Sequence, residues 1–183
     1  MRLISALVLL ILAPAVRAET PEQRARMYFS AIGEGKYTEA AGHVEPGQLK
    51  EFRAAIEVYE GLPADQLRDF VKTVFGKDET PESVKAKSDS QFFAAFLDSV
   101  TRQAAAVGGL RVNAPEILGQ VKEGEDVVHL VTRNRVGVGS VEVEAMEVLS
   151  LKKHGEEWRV LMSGELKGLP DQIRAAIANA GNR

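Results

Sequence analysis

Apolar positions recur every three or four residues from about residue 20 to residue 107, then alternate from about 111 onward, dividing the chain into a helical half and a strand half. Thr20-Pro21-Glu22-Gln23 supplies a capping hydroxyl, a proline for the first turn and a glutamine that reaches back to the cap, so a helix begins there. Met27, Tyr28, Ala31 and Ile32 follow at helical spacing, and Gly33-Glu34-Gly35 ends the run. A short helix through Tyr37 to Ala41 comes next. After Pro46-Gly47, Leu49, Phe52, Ile56 and Tyr59 mark one face of a third helix that runs to Gly61. Pro63 opens a fourth, with Leu67, Phe70, Val71, Val74 and Phe75 on its buried stripe. Lys77 to Lys87 reads as a loop with room for one turn after Thr80-Pro81. Ser88-Asp89-Ser90-Gln91 is a second capping box and leads into the longest helix, whose Phe92, Phe93, Phe96 and Leu97 read as core.

Four segments at about 111 to 121, 127 to 136, 141 to 152 and 157 to 164 read as strands, and Pro170-Asp171 opens a short last helix with Ile173 and Ile177 on one side. The expected fold class is α+β: a helical N-terminal half packed on a four-stranded antiparallel sheet, closed by a short C-terminal helix. Turning the middle strands around Gly137-Val138-Gly139-Ser140, with Val136 opposite Val141, sets Arg135 against Glu142 and Arg133 against Glu144 on one face. The other face then carries Thr132 and Asn134 and sets Leu130 against Glu147. A second hairpin at His154-Gly155 sets Leu151 against Trp158, Leu149 against Val160 and Glu147 against Met162, with Lys152 against Glu157 on the outside.

Glu147 is the anomaly of this register, a carboxylate among aliphatic neighbours on the inner face, where burial is costly unless it is paired, protonated or wetted. One reading makes it the polar floor of a cavity, with Thr132 and Asn134 beside it, able to bind a ligand or move a proton. The other makes it a structural carboxylate, satisfied by a tyrosine, an arginine or the helix layer, or turned outward by a bulge. On the outer face, Val131, Met146 and Val148, with Leu118 and Leu161, form a patch that either a second copy or the C-terminal helix covers.

The first 18 residues change where this domain is expected to work. Arg2, the apolar run Leu3 to Leu12, Ala13-Pro14 and Val16-Arg17-Ala18 have the layout of a signal peptide cleaved after Ala18. The expectation is therefore export to a periplasm or to the outside, with 19–183 as a single domain. The apolar run is about half the roughly 20 residues needed to span a bilayer, and no later segment is longer, so no membrane span is expected. The whole chain has 23 Lys+Arg against 26 Asp+Glu. Losing Arg2 and Arg17 leaves 21 against 26, a net charge of −5. An acidic chain of this kind is not expected to bind nucleic acid. The absence of cysteine removes disulfides, thiolate nucleophiles and Cys-bound zinc. His43, His129 and His154 do not converge by spacing and read as solvated, so no metal and no cofactor is expected. Gly137 and Gly139 belong to a turn with no helix behind it, unlike a nucleotide loop.

The capped first helix with Tyr28-Phe29, the phrase Gly33-Glu34-Gly35-Lys36-Tyr37-Thr38-Glu39-Ala40-Ala41, and long antiparallel strands ending in Glu157-Trp158-Arg159-Val160 resemble the nuclear transport factor 2-like (NTF2-like, SnoaL-like) superfamily. The resemblance covers most of residues 19–183. It implies a curved sheet wrapped by helices into a cone, whose open end forms an apolar pocket, with Glu147, Thr132, Asn134 and Tyr28 as pocket candidates. It also implies sheet-to-sheet dimers as a means of covering the outer face. The helical stretch from about Pro63 to Val107 departs from the compact enzymes of that superfamily, and no catalytic motif of theirs transfers residue by residue. The functional expectation is an exported, non-catalytic binding or interaction module that holds a small hydrophobic ligand or forms a homodimer. The alternative is a cofactor-free enzyme, like the isomerases and cyclases of that superfamily, in which Glu147 moves a proton.

Overall fold

The computed structural model describes residues 19–106, 110–112, 115–138, 141–164, 168 and 171. The expected signal peptide lies outside the described residues, as do Ile173 and Ile177 of the expected last helix, although Asp171 is helical. Helix α1 spans Pro21–Gly33, with both halves of the Thr20/Gln23 capping box formed. Next come α2 (Tyr37–Gly42) and α3 (Pro46–Ile56), the latter capped by the Glu45 carboxylate. The expected third helix tightens into a 3-10 turn over Glu57–Gly61 instead of staying α-helical to its end. Then α4 covers Ala64–Phe75. The segment read as a loop holds a short helix, α5 (Pro81–Lys85), because Thr80 and Ser83 cap each other reciprocally. Last is α6 (Asp89–Ala106), whose Ser88 and Gln91 also exchange capping bonds.

The helices close on one aromatic cluster. Phe52 of α3 meets Phe93 and Phe96 of α6 edge-on at 5.2 Å each, and Phe75 of α4 meets Phe92 at 4.8 Å. Edge-to-face pairs of this kind contribute about 0.5–1.5 kcal/mol beyond the burial of their area. Arg53 locks the same elements from outside: its guanidinium lies 5.3 Å above the Phe92 ring while it bonds the Lys85 carbonyl, the Lys87 carbonyl, Asp89 and Glu57.

The strands are β1 (Leu110–Val112), β2 (Glu116–Glu123), β3 (Val127–Val138), β4 (Val141–His154) and β5 (Glu157–Val160), all pairing antiparallel. The expected first strand is two pieces that share one edge of β3: β1 pairs with Val136–Val138, and β2 pairs with Val127–Arg133. The sheet is therefore four strands wide where β5 pairs with Leu151–His154 and three strands wide beside the first part of β4. A bulge between Ile117 and Gly119 bends β2. Gly124 and Gly155 turn the chain at φ +65° and +64°, a conformation that glycine adopts without strain. The inner-face side chains of Val128, Leu130, Leu151 and Val160 join the helical core. The fold class is α+β, with the helical half packed on the antiparallel sheet.

Both hairpins differ from the expected register by two residues. Val138 lies opposite Val141, which leaves two residues between the strands instead of four; two-residue connections are the commonest in hairpins. Because side chains alternate with period two, the shift leaves every residue on its expected face and changes only its opposite number. Leu130 now faces Leu149, and Glu147 faces Thr132. Glu144 faces Arg135 at 3.1 Å and also reaches Arg133 diagonally at 3.3 Å. In the second hairpin Leu151 faces Val160, Trp158 faces Lys153, and Glu157 faces His154 in place of Lys152. Directly opposed charges favour the expected register, which sets two arginines against glutamates where the observed one sets only Arg135 against Glu144; the pairing of Leu130 with Leu149 in place of Glu147 outweighs them.

The aromatic cluster predicts a concentrated stability cost. Phe92→Ala should lower the unfolding free energy by about 3–5 kcal/mol, read as a drop in the denaturant midpoint. Phe29→Ala, at a half-buried ring outside the cluster, should cost markedly less.

Candidate functional site

Thr132, Asn134 and Glu147 do come together on the inner face. Thr132 Oγ1 donates to the Glu147 carbonyl at 3.2 Å, and Asn134 Nδ2 donates to Glu147 Oε2 at 2.5 Å. Thr132 and Asn134 are buried, whereas Glu147 is exposed. The carboxylate thus does not sit between Leu130 and Met162 as expected. The two-residue shift gives that place to Leu149, and β5 stops short of Glu147, so nothing described covers it from that side. Tyr28 makes no hydrogen bond to this trio; it is buried against Phe29 at 5.2 Å, and burial pushes its hydroxyl up to about 12.

The described cavities lie elsewhere. One of about 530 Å³ opens where the start of α1 meets the inner face of the sheet, walled by Trp158, Val128, Gln120, Lys122 and Glu22. Trp158 is half-buried there, a cavity wall at the sheet's end in place of the central anchor its expected pairing implied. A second, of about 510 Å³, runs between α2, α5 and α6 over Ala94 and Ala95, with Tyr37, Lys87 and Asp98 at its sides.

A buried polar cluster ties α1 to the end of α2 and to β5. Arg24 Nη1 lies 2.7 Å from His43 Nδ1, while Nη2 and Nε of the same guanidinium donate to Glu19 Oε2 at 2.6 and 3.1 Å. Because the guanidinium can only donate, Nδ1 accepts, and the neutral ring carries its proton on Nε2. That Nε2 is buried without a partner. Arg159 completes the cluster, binding the Gly42 carbonyl and Glu157. His43 is therefore not solvated as expected. Burial holds its pKa below the ordinary 6.5, and the Arg24 charge pushes it the same way. A signal for the cluster exists in the sequence: Arg24 shares the helical stripe of Tyr28 and Ala31 that is otherwise apolar. His129 does face outward, bonded to Ser150 and Glu123 at 2.8 Å each. Among the described residues no three His, Cys, Asp or Glu side chains gather as metal ligands, and no helix is long and apolar enough to cross a membrane.

Among the described residues, the outer face of the sheet is left uncovered. On the outer face, Val121 of β2 is 60% exposed, and Met146 and Val148 of β4 are 66% and 58% exposed, with half-buried Val131 paired to Val148 between them. Leu118, at the β2 bulge, and half-buried Leu161 flank this patch. Arg133, Arg135 and Glu144 rim one end, and Glu123 and His129 the other.

No protein-family model and no curated protein sequence matches the chain. Among solved structures it is similar to a crystal structure from Campylobacter jejuni described as a "Putative NTF2-like transpeptidase", at 16% identity. That match covers 79% of this chain and all of the other, with a TM-score of 0.34. A likeness this distant assigns no activity.

The polar cluster predicts a pH dependence. A native pKa held below 6.5 means that the unfolded chain binds the proton first as pH falls, so the stability tied to neutral His43 is complete above 6.5 and is lost as pH falls below it. The thermal midpoint should therefore fall between pH 7.5 and 5, and His43→Gln should flatten that slope.

Proposed function

We propose that the chain is a non-catalytic binding and interaction module that works after export and removal of residues 1–18, and that the outer face of the sheet is its contact surface. The observation that carries this reading is the apolar patch of Val121, Val131, Met146 and Val148 on three adjoining strands, rimmed by charges of both signs. Contiguous apolar surface bordered by polar groups marks interaction sites more than ordinary protein surface does. A second copy stacking on this face, isologous and self-complementary in its mixed rim, is the partner that fits it.

The small hydrophobic ligand belongs, on this reading, in the cavity beside Trp158. The inner face at Leu130 and Leu151 is fully buried and leaves no space there. The Trp158 cavity instead offers an indole and Val128 as apolar walls, with Lys122 and Gln120 to meet a polar end. An amphipathic small molecule suits that lining better than a purely apolar one. The proton-transfer alternative would rest on Glu147 and its Asn134 bond, but the carboxylate is open to solvent and not enclosed with a substrate.

Native mass spectrometry of the purified protein tests the module directly, because one spectrum reports both subunit number and co-purified small molecules. Mass above that of a single chain is expected, and Val121→Lys with Val148→Lys should remove the assembled fraction that depends on the face. A spectrum unchanged by the two lysines would overturn the outer-face assignment. For the cavity, the sole tryptophan is a built-in reporter: a bound amphiphile should shift Trp158 emission, and Lys122→Glu should weaken binding of an anionic one, such as a fatty acid, by about tenfold or more, since each 1.4 kcal/mol is tenfold in affinity.

A further inference from the structure

We infer that the free edge of β4 pairs with the same edge of a second copy, joining two sheets into one. The inference rests on reading the chain as an interaction module, but it uses a different surface, the strand edge and not the sheet face. β4 is fourteen residues long, whereas β5 pairs only with Leu151–His154, and the Leu161 N–H extends that edge just to the Ser150 carbonyl. Among the described residues nothing pairs with the outer edge of 141–149. A long unpaired strand edge is a template for another strand.

The direction of the backbone groups on this edge follows from the bonds already made. Lys153 N–H reaches back toward β3, to the Asp126 carbonyl, while the Ser150 carbonyl points the other way, to Leu161. Bonding directions alternate along an antiparallel strand, so the backbone groups of residues 142, 144, 146 and 148 point off the edge. The free segment 141–149 has its midpoint at Ala145. Two copies that use its full length antiparallel must therefore cross at Ala145, which sets Glu144 against Met146, Glu142 against Val148, Val143 against Glu147 and Val141 against Leu149. Every outward-pointing residue then meets another outward-pointing residue, so the ladder closes without an orphaned group.

That register, fixed by length alone, also resolves the charges. No glutamate opposes a glutamate, and the exposed aliphatic side chains of Val141, Val143, Met146 and Val148 each gain a neighbour. Acidic residues on an edge normally discourage pairing. Here two of the three are already engaged within their own sheet, Glu144 by Arg133 and Arg135 and Glu147 by Asn134. Glu142 sits opposite Gly137 in its own sheet and would lie beside the second copy's valine. The geometry therefore fits a second copy, and the same residues that look like edge guards leave the pairing open.

The protein has no cysteine, so one introduced thiol can cross-link only to another copy. Ala145→Cys places it at the crossing point, in a pair without backbone bonds, where Cα atoms are about 4.5 Å apart and a disulfide closes. Val143→Cys is the control, about four residues from its own mate, or roughly 14 Å along the strand. Under mild oxidation of the full chain, covalent dimer from Ala145→Cys should exceed that from Val143→Cys at least tenfold, and should persist when Val121→Lys and Val148→Lys are added, because a lysine at 148 faces Glu142 of the copy. Equal yields, or no dimer, would overturn the edge pairing. If Ala145→Cys does not fold, sedimentation of Glu142→Pro against Glu142→Ala, at a position outside the apolar face, decides the matter. The proline removes an edge N–H and should dissociate the pair, whereas the alanine keeps it and should leave the pair intact. Loss with both, or with neither, overturns the inference. Cross-linking with an unchanged lysine-variant mass spectrum would leave the edge standing and remove the face; the reverse pattern would do the opposite.

Discussion

The alternation along β3 is the constraint from which the rest of the molecule follows. Its side chains at 128, 130, 132 and 134 are all buried, and it is the one strand flanked on both edges along its length. Sliding a strand by one residue would turn that whole series toward solvent, so β3 fixes which face of every neighbour meets the helices. Through Leu130 and Leu149 it sets the register of β4, and through Leu151 and Val160 β4 sets the register of β5. The position of Trp158, the exposure of Glu147 and the overhang of β4 are all consequences of that chain of pairings.

The helices are held to one another and to this sheet by different contacts. The Phe52, Phe75, Phe92, Phe93 and Phe96 cluster is apolar and packs helix on helix. The junction with β5 is polar: Val160 exchanges backbone bonds with His43 and Glu45, Met162 N–H donates to Gln48, and Arg24 and Arg159 lie beside His43. A buried polar junction of this sort specifies one arrangement but leaves stability sensitive to protonation, since an added proton on His43 would face two guanidinium groups in a low-dielectric setting. The cavity beside Trp158 opens next to this junction, where α1 begins, so a ligand there would bear on the element that Glu19 and Arg24 hold in place.

The sheet is larger than the layer that covers it. The helices bury the inner face of β3 and, on β4, Leu151 with part of Leu149, but among the described residues nothing covers the faces or the outer edge of the first half of β4, which alternates aliphatic and acidic side chains. A helical layer can supply only as much cover as its apolar stripes allow, and here those stripes are largely consumed in packing helix on helix. The surplus strand is where this protein has surface to give to something else.

From the residue pattern alone came the α+β layout, five of the helices with the caps at Thr20 and Ser88, and the faces of the hairpin strands, because periodicity and capping are local and depend only on neighbours along the chain. The short helix after Thr80 showed only as room for one turn in a loop, although its cap is equally local, since five residues carry too little periodicity to declare a helix. Tertiary structure alone decided the opposite numbers across the hairpins. A two-residue shift leaves every residue on its face, so the alternatives differ only in which partners meet: two Arg–Glu pairs in one, and Leu130 with Leu149 in place of Glu147 in the other. It also decided that Thr132, Asn134 and Glu147 meet at an open surface, and that His43 is buried beside Arg24. Both depend on where distant segments end in space, on β5 stopping at Val160 and on α1 lying across it, and no local signal in the chain records where a strand runs out of partners.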